Sequence, residues 1–375
     1  MLLAACSDLP TGEKTTRIRG FLGSPIRWSV LLSLAEHHGV LPILAQCLLS
    51  VGDVPVETIE TLRNSYHANL HKALLLSREF VRIVDRLSRA GIEFIPYKGP
   101  VLAEALYGDI ALRQSGDIDV LIHASDLKRV REAVADLGYR PHQTLSADEE
   151  EAYLRSGYEC AFDGPAGKNL LEVQWAIQPR FYAVNLEMGE LFRRAITATV
   201  AGAEIKTLSA EDSFLVLALH AAKHVWGKLI WLCDLARICS QPTLDWNWIG
   251  DRARELGIVR TLRVTLVLAQ KLLGTSLPAS ATENLPQDSA TVPLADEIEA
   301  YIATEKTFDV ESRAYFKLML RLRERRMDRM RFLGRLVVTP GPGEWTAIRL
   351  PMPLFPLYRV VRITRLAARI VSGRI

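Results

Sequence analysis

The run Asp117-Ile118-Asp119-Val120-Leu121-Ile122 constrains this chain more than any other segment. It alternates acid and aliphatic before turning fully apolar, the pattern of a β-strand that starts exposed and ends buried. Residues i and i+2 of a strand point the same way, so Asp117 and Asp119 stand side by side while Ile118, Val120 and Ile122 face a core. Carboxylates this close repel unless a cation lies beside them, and oxygen-only ligands of this kind suit Mg²⁺ carrying nucleotide phosphates. A strand that merely begins in solvent accounts for the same pattern, and Asp-x-Asp alone does not choose between the two. On repulsion alone, Asp119→Asn is expected to leave the fold intact or firmer.

The flanking sequence reads as α+β. Residues 28–49 and 57–90 have helical periodicity, the second ending at Gly91. Glu93 to Tyr97 reads as a short strand entering the turn Lys98-Gly99-Pro100, followed by a short helix, Val101 to Tyr107, and a polar loop over 108–116. Ser125 is expected to cap a helix to Leu137, and Ser146 with Glu149 forms a capping box. Tyr158 to Phe162 and Asn169 to Trp175 read as strands around Asp163-Gly164-Pro165-Ala166-Gly167. From Ser209 to Leu273 nearly everything reads as helix, as do 294–306 and 310–336, and Ser276 to Pro293 reads as a linker. The implied organisation is an N-terminal helical region (1–90), a core (91–208), a helical region packing on it (209–275), the linker (276–293) and a basic helical region (294–375).

Glu172 lies on the strand face opposite Leu171, Val173 and Trp175, sharing its side with Gln174. If this strand lies beside that of Asp117, three carboxylates converge as two-metal phosphoryl transfer requires; an edge strand with a wet face is the alternative. His220 and His224, at i and i+4, share a helix face but lack the Glu of a His-Glu-x-x-His zinc motif. They read as substrate-lining or as satisfied structural histidines, and Lys223, Lys228 and Asp234 as site-lining or as surface pairs.

Several segments together resemble the uncharacterised nucleotidyltransferase family of the DNA polymerase β superfamily. They are Gly91 to Gly99, Leu106-Tyr107-Gly108-Asp109, and Arg113-Gln114-Ser115-Gly116 leading into the Asp117 strand. Glu172-Val173-Gln174-Trp175 stands where that family usually has Asp-Leu-His-Trp. Leu219 to His224 and Leu229 to Asp234 are similar to its helical His and Asp segments. The likeness spans about residues 28 to 270. It implies a polymerase-β-like mixed-sheet core, with Asp117, Asp119 and Glu172 as catalytic metal ligands and Lys98, Gly99 and Arg113 binding nucleotide. It further implies Mg²⁺-dependent transfer of NMP from an NTP to an acceptor that no residue here reads out, a peptide or small molecule being the class suggested. Gln174, His220, His224 and Lys228 would line the substrate. Pro100 removes a backbone donor from a turn that is Gly-Ser or Gly-Gly in the wider superfamily, and Gln174 replaces a His. These departures motivate the alternative of a non-catalytic module that keeps the fold and holds a peptide or protein partner.

Charge divides the chain. From Glu311 onward fifteen Lys or Arg face four Asp or Glu, whereas residues 1–310 carry a deficit of eight positive charges. Lys317, Arg321, Arg323, Arg325, Arg326, Arg329, Arg331 and Arg335 crowd one helix; Arg359, Arg362, Arg365 and Arg369 step along another, from Leu357 to Ile370, whose other side is aliphatic. These helices are expected to meet an acidic partner or membrane surface, or to dock on the acidic body; no strong nucleic-acid motif accompanies them. Lying far in sequence from the carboxylate strands, residues 345–375 are expected to be removable without loss of NTP binding. Five scattered cysteines with no CxxC pair exclude a disulfide framework or zinc ribbon and fit a reducing cytoplasm. No segment has the uninterrupted apolar length of a membrane span. Leu3-Ala4-Ala5-Cys6 resembles a lipoprotein cleavage box without the preceding charged and apolar regions.

Overall fold

Four short helices open the chain: α1 (Leu2–Cys6), α2 (Thr11–Leu22), α3 (Trp28–His37) and α4 (Leu41–Val51). The computed structural model describes residues 1–165, 167–304, 312–340, 342–348 and 350–371. Residues 28–49, expected as one helix, are two, because Gly39 turns the chain at φ 69° and Pro42 starts the next helix. The 34-residue α5 (Val56–Arg89) follows and ends at Gly91, φ 61°.

The core contains β1 (Phe94–Pro96), α6 (Pro100–Leu102), a π-type turn over Ala103–Tyr107, and β2 (Ile118–Ile122). Then come α7 (Leu127–Ala135), β3 (Arg140–Pro141), α8 (Ala147–Ser156), β4 (Glu159–Gly164), β5 (Gly167–Gln174) and α9 (Met188–Arg194). Ser125 does not cap α7; it lies inside a 3₁₀ turn, Ala124–Asp126, that leads into the helix. The box of Ser146 and Glu149 forms as expected. The sheet order is β1-β2-β5-β4-β3, with β2 and β5 parallel and the other pairs antiparallel. This is the mixed sheet of the expected α+β class. A separate hairpin, β6 (Ile196–Val200) and β7 (Ala203–Thr207), was not foreseen; it turns through Ala201 and Gly202, both left-handed.

One sheet face is closed by α5 and α7, which set Phe80, Ile83, Val130 and Val134 against Ile118, Val120 and Val173. The opposite face packs Leu121 with Tyr97, Phe192 and Val216, and its remaining area carries the acidic residues.

The C-terminal helices are α10 (Ala210–Lys223), α11 (Leu229–Cys239), α12 (Trp246–Leu256), α13 (Val259–Leu273), α14 (Ala279–Asn284), α15 (Thr291–Ile302), α16 (Arg313–Arg321), α17 (Arg326–Val338), α18 (Pro342–Ala347) and α19 (Tyr358–Val371). Of these, α10 to α17 share one core with the N-terminal helices. Residues 276–293, read as a linker, instead form α14 and bury Ala281 and Leu285 completely, because their few apolar residues fill a gap beside α12. The helix expected over 310–336 is two, broken where the buried Arg323 donates to the carbonyls of Met319 and Tyr182; positions 305–311 of these expected helices lie outside the described residues.

The basic tail also differs from its expected geometry. Arg362 and Arg365 turn inward onto the buried carboxylate of Glu344, at 3.2 and 2.7 Å, and Arg362 also donates to the Leu336 carbonyl. Glu344, itself in the tail, thus holds two arginines of a stripe for which an outward contact and docking on the body were both open; Arg359 stays exposed, and the Arg369 side chain lies outside the described residues.

Candidate active site

Parallel pairing sets Asp119 of β2 directly beside Glu172 of β5. Side-chain alternation then puts Asp117, Asp119, Glu172 and Gln174 on one sheet face, lining a cleft of about 760 Å³. Its walls come from α5 (Ser65, Asn69, Lys72), the polar loop (Arg113 to Gly116), and α10 and α11 (His220, His224, Trp231). Lys98, Gly99, Lys223 and Lys228 also line it, so of the site residues expected from the sequence only Asp234, buried behind Arg113, does not open onto this space.

The turn after β1 fixes the floor. Gly99 has φ 58°, and a Cβ there would meet the Asp117 carbonyl oxygen at 2.7 Å, so only glycine lets the turn lie against β2. This close approach buries Lys98, whose Nζ contacts Asp119 Oδ1 at 2.7 Å. Burial opposes its charge, but Asp119, Tyr97 and Glu172 outweigh that and hold its pKa above the ordinary lysine value. Lys98 therefore belongs to the floor of the cleft, not to an outer rim. Asp119 Oδ2 is buried with no hydrogen-bond partner among the described residues. A desolvated, unpaired carboxylate oxygen is costly, and a cation is the ligand that would satisfy it.

Negative charge is crowded around that oxygen. Burial first, then Asp119, pushes the Asp117 carboxyl up to about 6. Burial, Asp119 and Glu159 push Glu172 up to about 8. Glu159 faces Gln174 across β4 and β5, a fourth carboxylate that sequence reading missed, although Glu159 alternates with the inward Phe162 face of its strand. Gln174 ties the group together: Tyr97 donates to its Oε1 at 2.6 Å, and its Nε2 lies 3.3 to 3.4 Å from Asp119, Glu159 and Glu172. The two N–H groups of neutral Gln174 are thus shared among three carboxylates. Among the described residues no three His, Cys, Asp or Glu side chains stand as a preformed metal cage. The donor chemistry fits Mg²⁺: oxygen ligands in excess, one of them orphaned.

Arg113 is placed differently from a phosphate ligand. Its Nε and Nη2 grip Asp234 at 3.0 and 2.9 Å, its Nη1 reaches Ser115, and Tyr107 donates to the same aspartate at 2.8 Å. The fork is spent on anchoring the polar loop to α11, so Arg113 and Asp234 position the cleft wall.

The opposite wall is aromatic. Between α10 and α11 two non-glycine residues, Val225 (φ 54°) and Trp226 (φ 49°), are left-handed and fully buried. Such strain persists only where packing enforces it, and here it folds α11 back so that Trp231 lies 5.2 and 5.4 Å from the rings of His220 and His224. Burial, Lys98 and His224 lower His220 well below the usual histidine range; burial, Lys223 and Lys98 bring His224 to about 3. Both rings are neutral at physiological pH. Lys223 reaches Tyr158 Oη at 3.1 Å, and Tyr158 in turn donates to Glu159.

A mixed sheet that aligns carboxylates on neighbouring strands above a Gly-containing turn is the α+β fold of a nucleotidyltransferase. Residues 24–274 match the family model described as uncharacterised nucleotidyltransferase, and the chain belongs to that family. Comparison with curated proteins and with solved structures found no match.

Proposed function

We propose that the protein transfers NMP from an NTP to a hydroxyl or similar group of a peptide or small molecule, releasing pyrophosphate, with Mg²⁺ held by Asp117, Asp119 and Glu172. The observation that carries this reading is the orphaned Asp119 Oδ2, in register with Glu172 inside a cleft large enough for a nucleotide and part of an acceptor. Bound there, Mg²⁺ would offset charge on the triphosphate and on the departing pyrophosphate. As the acceptor oxygen bonds to the α-phosphorus and the bond to the bridging oxygen breaks, Glu172, which a bound cation would keep ionised against the burial and crowding that otherwise raise its pKa, would take the acceptor proton. Lys98 keeps Asp119 oriented, and the exposed Lys228 meets phosphate oxygens at the mouth. Neutral His220 and His224 with Trp231 offer the base or the acceptor a flat, uncharged wall.

Thermal melting with each NTP and Mg²⁺ tests this. One nucleotide should raise the melting temperature, by the equivalent of ~2.7 kcal/mol at 100 times its Kd, and EDTA should remove the effect. Release of pyrophosphate with a hydroxyl-bearing acceptor should accompany it. If no NTP shifts the melt and none is consumed, the reading fails in favour of a module that keeps the fold and holds a peptide or protein partner.

A further inference from the structure

The outer face of the C-terminal helices combines two properties that water-facing surfaces usually keep apart. Along α17, Asp328, Phe332 and Leu336 turn inward at spacings of four, whereas Met327, Met330, Leu333 and Val337 are 62, 65, 39 and 37 % exposed. The adjoining α19 repeats the inversion. Tyr358 is buried, Arg362 and Arg365 reach inward to Glu344, and Val360 and Ile363 are 55 and 46 % exposed. Leu354 and Leu357 extend the apolar edge into the preceding turn. Of nineteen large apolar side chains exposed among the described residues, ten fall between Met327 and Ile363, so this is a patch and not scatter. The Arg362 bond to the Leu336 carbonyl, 2.6 Å, holds the two helices together.

Its charges are of one sign. Every described acid of this region is turned inward: Glu324 accepts the backbone N–H groups of Val259 and Arg260, and Asp328 and Glu344 are buried. Lys317, Arg326, Arg331 and Arg359 are exposed. A second copy of the same face would bring cation against cation with no acid to answer it. An acidic peptide would need Arg362 and Arg365, which Glu344 already holds. An anionic lipid surface needs only apolar side chains to enter the interface, cations to meet phosphates, and no matching groove. Among the described residues no helix is long and apolar enough to cross a membrane, so the contact is with the surface.

We propose that the face formed by α17, α19 and the turn before α19 docks on an anionic lipid bilayer, Met327, Met330, Val360 and Ile363 entering the interface and Arg326 and Arg359 meeting lipid phosphates. This is independent of the nucleotidyl-transfer reading. Flotation of the full chain with phosphatidylcholine vesicles, with or without phosphatidylglycerol, tests it. Binding should require the anionic lipid and weaken with salt. Arg359→Gln should lower the bound fraction about fivefold and Val360→Asp about tenfold, with melting unchanged because both side chains are exposed. Val292→Asp, at an exposed valine elsewhere on the surface, should do nothing. Absence of flotation, equal flotation with neutral vesicles, or an equal effect of Val292→Asp would overturn the proposal. So would a dimer in size-exclusion chromatography that Val360→Asp dissolves.

Discussion

Removing charge from Asp119 and from Glu172 should move the stability of the metal-free protein in opposite directions, although the two residues are register partners. Asp119 is the counter-ion of buried Lys98, and losing one member of such a pair strands the other; Asp119→Asn should cost ~3–5 kcal/mol. Repulsion within Asp-x-Asp had suggested the contrary sign, because sequence shows the neighbouring acid but not the lysine folded onto it. The same substitution should slow nucleotide transfer at least about 100-fold, read in a pyrophosphate-release assay. Among the described residues Glu172 makes no ion pair of this kind, its contact being with the neutral Gln174. Its folded pKa, about 8, lies above the ordinary carboxylate value, so the stability it lends is complete at low pH and disappears as pH rises through 8. Asp117, raised to about 6, adds to the same slope. Between about pH 6.5 and pH 8, above the range in which the buried histidines titrate in the unfolded chain, the wild-type melting temperature in EDTA should therefore fall, and Glu172→Gln should flatten most of that fall. A wild-type profile that rises through this window would contradict the assignment.

Among the elements, the turn at Gly99 is the most demanding. Gly99→Ala should cost at least ~1–3 kcal/mol, since it combines a left-handed conformation with a 2.7 Å contact on the Asp117 carbonyl. Urea unfolding would measure it, with an Ala substitution at Gly274, also left-handed but facing open space, as the milder comparison. The strand leading from Asp117 through Asp119, the face carrying Glu172 and the cap at Ser146 were readable because period-two alternation and capping chemistry are local. The break at Gly39, the hairpin after α9 and the split of the 310–336 helix were not. The last depends on a distant partner, the Tyr182 carbonyl that captures Arg323, whereas the Gly39 and Pro42 signals of the first break were local and were passed over. That the tail docks inward was among the expected outcomes, but its partner, Glu344, lies eighteen and twenty-one positions before Arg362 and Arg365 and was not legible.

At the scale of the whole molecule, the basic tail is not an appendage. Trp345 is 3 % exposed and meets the Tyr153 ring at 5.7 Å; that ring in turn contacts Trp175 at the end of β5. Trp345→Ala should cost ~3–5 kcal/mol in urea unfolding, and removing residues 345–375 should lower the melting temperature before any question of nucleotide affinity arises. A truncated chain that melts like the full one would show this packing to be dispensable.

The ion pair under the carboxylates bears on the order in which the protein matures. Lys98 comes from the strand turn that precedes Asp119 by twenty-one positions, so the cation that quiets this aspartate emerges from the ribosome ahead of it. β1 and β2 can close around their own counter-charge before any inorganic ion is captured. On the proposed Mg²⁺-dependent reading, completion of the sheet and acquisition of metal then become separate events, and a cell short of magnesium would accumulate folded, idle protein and not misfolded chain.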